Sequence, residues 1–120
     1  MSAHEIRRLA YAPIRRTTTG ATVTSVLRIP LASGEGAELD VGIIAVRRST
    51  GIPSFFRRVL RVQNVAGTVT AVSMTATPPD DLAYAYAVSY TVSGLGVELT
   101  ITGIAAQTVD WTINPVALTR

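Results

Sequence analysis

From residue 20 onward, turn-forming residues cut the chain at short intervals, and between the cuts apolar and polar side chains alternate. The cuts are ASGEGAE (32–38), STGIP (49–53), NVAG (64–67), PPDD (78–81) and SGLG (93–96). Glycine reaches backbone conformations that other residues avoid, proline has no N–H for a ladder, and Asp or Asn closes a turn with its own side chain. Pieces this short and this regular have the two-residue period of strands with one face in a core. Thr, Val, Ala and Ile dominate them, which is the composition of a pleated sheet. Only 3–10 offers a helical alternative.

The piece at 21–31 puts Val23, Leu27, Ile29 and Leu31 on one face and Thr22, Thr24 and Arg28 on the other. The piece at 39–48 is apolar on both faces, as in a central strand or one covered by a neighbouring subunit. The piece at 54–63 mixes Phe55, Phe56, Val59, Leu60 and Val62 with three arginines, and 68–77 follows it. At 83–92, Tyr84, Tyr86, Val88, Tyr90 and Val92 oppose Ala85, Ala87, Ser89 and Thr91. The last two pieces read as a closing hairpin across a turn at 103–107, with Ile101, Val109, Trp111 and Ile113 facing the core. The stretch at 10–16 adds an edge strand that Pro13 interrupts. The expected fold is all-β: a single antiparallel β-sandwich or jelly-roll of seven to eight strands with an extended N-terminal arm. The expected division is an arm at 1–16 and a sandwich at 17–120.

A chain of 120 residues is one domain by size, with 48% hydrophobic and only 16% charged residues. A mean hydropathy of +0.33 implies apolar surface taken up by assembly. No apolar run is long enough for a membrane helix, so no membrane partner is expected. With no Cys and one His, at position 4, there is no thiolate and no catalytic or metal-binding His set, and neither cofactor nor metal is expected. Glu35, Glu38, Asp40, Asp80, Asp81, Glu98 and Asp110 supply carboxylates, but a glycosidase needs two held across a cleft, and the expectation is a non-enzyme.

All eleven basic residues are Arg. Arginine tolerates partial burial and pairs bidentately with carboxylates, which suits interfaces; GC-rich codon usage gives the same bias. Arg7–Arg8, Arg15–Arg16, Arg47–Arg48 and Arg57–Arg58 are adjacent pairs, and adjacent strand residues point to opposite faces, so a phosphate-tracking stripe is not formed and nucleic acid is not the expected partner. The candidate partner-binding residues are Arg7, Arg8, Tyr11, Ile14, Arg15 and Arg16 on the arm. The candidate subunit-interface residues are Tyr84, Tyr86, Tyr90, Arg47 and Arg57. Trp111 beside Asp110 and Asn114 has the parts of a sugar platform, yet it shares a face with Val109 and Ile113, which makes it core.

Four pieces occur in a fixed order: Val46–Gly51 (VRRSTG), Gly67–Thr68, Val92–Gly94 (VSG) and Thr102–Trp111 (TGIAAQTVDW), after a threonine-rich opening. In that order they resemble a β-sandwich domain of tailed-bacteriophage virion structural proteins, over roughly residues 17–118. The resemblance implies a head-decoration or tail-fibre type module with no catalytic residues to carry over. A free-standing module with a short arm implies a capsid decoration (cement) protein on the capsid outer surface. It would be a homotrimer that bridges subunits of the major capsid protein. The alternative is a small tail fibre, spike or tail-tip module that binds a host receptor or glycan.

Overall fold

The computed structural model describes residues 7–10, 12–76 and 86–119. Pro13 breaks the N-terminal stretch into two strands, β1 (Arg7–Ala10) and β2 (Ile14–Thr19). Seven more follow: β3 (Thr24–Pro30), β4 (Gly36–Arg47), β5 (Pro53–Val65), β6 (Thr68–Ala76), β7 (Ala87–Ser93), β8 (Gly96–Thr102) and β9 (Thr108–Thr119). The seven segments read from the sequence after residue 20 are β3 to β9. No helix among the described residues is long and apolar enough to cross a membrane.

The strands form two antiparallel sheets. The larger runs β1–β9–β4–β5–β6, with β2 also on β9, and the smaller runs β3–β8–β7. Residues 7–10 pair with 116–119 and residues 14–19 pair with 108–113, so the two N-terminal strands lie end to end along one edge of β9. The boundary expected between residues 16 and 17 therefore falls inside β2, and the described part of what was expected as an extended arm contributes a sheet edge.

Strict alternation gives the large sheet one buried face. Ala37, Leu39, Val41, Ile43 and Ala45 of β4 point inward, as do Phe56, Leu60 and Val62 of β5 and Val109, Trp111, Ile113 and Ala117 of β9. They meet Val97, Leu99 and Ile101 of β8, Val88 of β7, and Val26 and Ile29 of β3. Aromatic packing concentrates around Trp111, whose ring stacks on Phe56 at 6.2 Å and meets the edge of Tyr86 at 5.4 Å between centroids. The assignment of Trp111 to the core therefore holds.

Two local expectations are corrected. The last two strands are not a hairpin: β8 belongs to the small sheet and β9 to the large one, so 103–107 crosses between layers. Periodicity reports which face of a strand is buried, and facing strands of two layers share that signature with hairpin partners. In β3 the register against β8 shifts between Ser25 and Leu27. This bulge inserts Val26, which is buried, while Val23 precedes the strand and is exposed. The single face read for Val23, Leu27, Ile29 and Leu31 thus breaks at the bulge.

Candidate functional site

One end of the molecule is held by a node built from the pieces of the sequence pattern. Trp111 Nε1 donates to Thr18 Oγ1 at 2.8 Å inside the core. The threonine-rich opening of β2 thereby satisfies the one polar atom of the indole. Gly103 fits against that contact because it has no side chain; a Cβ there would sit 2.8 Å from Thr18 Oγ1 and 2.9 Å from the Gly20 carbonyl. Gly20 N–H in turn donates to the Gln107 carbonyl at 3.1 Å. The opening threonines, the Thr102–Gly103 pair and Trp111 are thus spaced as they are because they meet. At the far end of β8, in the SGLG turn, Arg28 Nη2 donates to the Ser93 carbonyl at 3.0 Å, and its guanidinium lies where a Cβ on Gly96 would be.

The opposite end carries a second pin. Asn64 is buried in β5, donating from Nδ2 to the Leu31 carbonyl and accepting from Gly67 N–H, both at 2.9 Å. Its backbone also bonds Gly34 and Glu35. Side chain and backbone of one residue so join two turns, 31–36 and 64–67, where the sequence showed only the start of NVAG.

Between these ends lies the outer face of the large sheet, the surface with most to offer a partner. Its outward residues are Glu38, Asp40, Gly42, Ile44 and Val46 on β4, and Phe55, Arg57, Val59 and Arg61 on β5. β9 adds Asp110, Thr112, Asn114, Val116 and Leu118. Ile44 is 40% exposed, Phe55 45% and Leu118 45%. Three ion pairs frame them: Arg57–Asp40 at 2.8 Å, Arg61–Glu38 at 2.9 Å and Arg48–Asp110 at 2.7 Å. The Asp110 carboxyl lies below its ordinary value of 3.8 because it accepts hydrogen bonds from Arg48 and Thr17. Arg48 and Arg57 are pushed up by the hydrogen bonds and charges of Asp110 and Asp40. Exposed pairs of this kind add little stability, but they balance the acidic residues that β4 and β9 present on this face. Shallow concavities of about 360 Å³ lie beside Glu38, Asp40, Val116 and Leu118, and beside Arg15, Arg16, Thr17, Asp110, Trp111 and Thr112. Among the described residues, no group of three or more His, Asp or Glu is placed to hold a metal ion.

The structure scatters the residues that sequence reasoning grouped. Arg7 and Arg8 lie on β1 opposite Thr119 and Leu118, and Tyr11 and Tyr84 lie outside the described residues. Ile14 packs half-buried against the core. Arg15 stands opposite Thr112 and Arg16 opposite Trp111, so the pair splits across the sheet and does not form one patch. Tyr86 is corrected from interface to core: it is 7% exposed and packs on Phe56 and Trp111. Tyr90 is half-buried on the inner row of the small sheet, opposite Leu99. Arg47 is half-buried and donates from Nε to Gln107 Oε1 at 2.9 Å. Of the four described interface candidates only Arg57 lies on the large sheet's outer face. Ile44, Phe55 and Gly42 were missed, although the two-sided apolarity of 39–48 and the Phe55–Phe56 pair carried their signal.

No family model matches the chain, and no curated protein matches it. Among solved structures it is similar to the tailspike protein gp49 of Acinetobacter baumannii bacteriophage Fri1, a capsular polysaccharide depolymerase, with TM-score 0.47 and 18% identity over 92% of this chain. It is also similar to the tailspike of Acinetobacter baumannii phage AM24, with TM-score 0.43 and 11% identity over 95% of the chain. The tailspike of Acinetobacter phage vB_ApiP_P1 follows, with TM-score 0.37 and 8% identity over 97%. The chain spans 19%, 26% and 22% of those three proteins. The expectation of a non-enzyme is corrected by the Fri1 protein. It was drawn from the lack of a catalytic set in these 120 residues, and such a lack does not decide whether a protein is an enzyme.

Proposed function

We propose that this chain is a structural module of a tailed-phage virion, of the tail spike, fibre or tail-tip kind rather than a capsid decoration protein. The observation that carries the choice is the state of the N-terminal stretch. The decoration reading needs residues 1–16 as an arm laid across capsid subunits. The described part of that stretch is instead committed to hydrogen bonds with β9, and Thr18 of β2 anchors the core Trp. A β-rich brick of 54 × 23 × 22 Å whose outer sheet face mixes exposed apolar side chains with ion pairs suits a part stacked against other virion parts. Binding to a host receptor or glycan is the role this reading assigns to the assembled tail. Immunogold labelling of intact virions with antibody to this chain tests it. Label at the tail is expected; label spread over the head would restore the decoration reading.

A further inference from the structure

We infer that the outer face of the large sheet is a self-association surface on which a second copy of this chain packs face to face about a two-fold axis parallel to the strands, between β4 and β5. The inference rests on the cross-strand register and is independent of where in a virion the chain is used. Going along the β4–β5 ladder, the outward rows are Glu38 opposite Arg61, Asp40 opposite Val59, Gly42 opposite Arg57, Ile44 opposite Phe55, and Val46 opposite Pro53. A two-fold axis between the two strands keeps each row at its own height and lays β5 of one copy over β4 of the other.

Three of the five rows then meet a fitting partner. Phe55 of one copy covers Ile44 of the other, joining residues that stand 45% and 40% exposed in the single chain. Arg61 comes over Glu38. Arg57 comes over Gly42, where no atom lies within 4 Å of the position a Cβ would take. That gap is flanked by Asp40 along β4 and by Asn114 across the ladder, so the incoming guanidinium meets a carboxylate and an amide in a seat open for it. Acids on β4 and arginines on β5 make the face complementary to its own rotated image. Because Arg57 already pairs with Asp40 and Arg61 with Glu38 within each copy, closing the two faces shares charges and buries none alone.

The dimensions are sufficient. Sheets stack about 10 Å apart, and an overlap of β9, β4, β5 and β6 is about 20 Å wide and 35 Å long, on the order of 700 Å² per copy. That is close to the roughly 800 Å² per partner of a standard specific interface.

The test is light scattering coupled to size-exclusion chromatography of the 120-residue chain at about 100 µM, well above the micromolar range such an interface supports. The expected mass is twice the 12.7 kDa of one chain. Phe55→Glu and Gly42→Val should each give the single-chain mass, and Gly42→Val in the Phe55→Glu background should keep or raise that background's Tm, because valine suits a strand and fills only the open seat. Glu38→Arg and Arg61→Glu should each be monomeric alone, yet form mixed dimers with each other, since the two reversed faces attract only across the interface. A wild-type monomer, a trimer, a dimer unchanged by Phe55→Glu, or reversed variants that fail to pair would each overturn the inference.

Discussion

Thr18→Val deletes one hydrogen-bond acceptor while keeping the side chain's shape. Thr18 and Trp111 are 5% and 1% exposed, and the bond between them is 2.8 Å long. The indole N–H cannot turn to solvent from that position. Leaving a buried donor without its partner costs about 1–3 kcal/mol, and the added methyl returns less than about 1 kcal/mol of burial. The net loss should be about 1–2 kcal/mol, or a fall in Tm of roughly 3–10 °C for a domain of this size. Trp111→Phe removes the donor itself and opens a cavity, so it should cost more on its own. Once the donor is gone the acceptor no longer matters, and the double variant should fall short of the summed losses by about 1 kcal/mol. Urea unfolding followed by circular dichroism measures all four proteins. Carrying the set in the Phe55→Glu background keeps self-association out of the equilibrium. A neutral Thr18→Val, or strictly additive losses, would show that the bond does not hold β2 to the core.

Gly103→Ala should destabilise by about 1–3 kcal/mol, because its Cβ would press on Thr18 and on the backbone carbonyl of Gly20, which has little freedom to move; a Tm equal to wild type would refute the close approach. Asn64→Leu should cost about 2–4 kcal/mol by stranding the Leu31 carbonyl and Gly67 N–H. Asn64→Asp should show a deficit that shrinks as pH falls, since only the protonated acid can donate to Leu31; a pH-independent deficit would argue against that bond. For Asp110, whose carboxyl lies below 3.8 in the folded chain, the stabilising contribution is complete above that value and is lost as pH drops through the lowered one. Thermal melts from neutral pH down to about pH 2 should therefore show wild type and Asp110→Asn converging at the acid end. Parallel curves would mean that Arg48 and Thr17 do not act on the carboxyl.

The sequence made strand identity legible and left layer assignment hidden, and the two have different physical sources. Alternation around Trp111 places Val109, Trp111 and Ile113 on one buried face, since a two-residue period is a property of the strand alone. Whether 99–102 and 108–113 share a ladder depends on where 103–107 sends the chain, which the close approach of Gly103 to Thr18 decides. The β3 phase was lost for a related reason: the bulge at Val26 answers to β8, a strand some seventy residues away. The candidate site divides along the same line. Tyr86 was assigned to an interface because a row of aromatics looks alike whether it covers a core or meets a partner, and only the proximity of Phe56 and Trp111 separates the cases. The outer face was half-visible in 39–48, where an apolar pattern on both sides demands a cover for each. Its inner cover is the small sheet. Its outer cover could not be inferred until the register set Gly42 beside Arg57 and Ile44 beside Phe55, because complementarity of a face to itself is a relation between strands, and no single strand contains it.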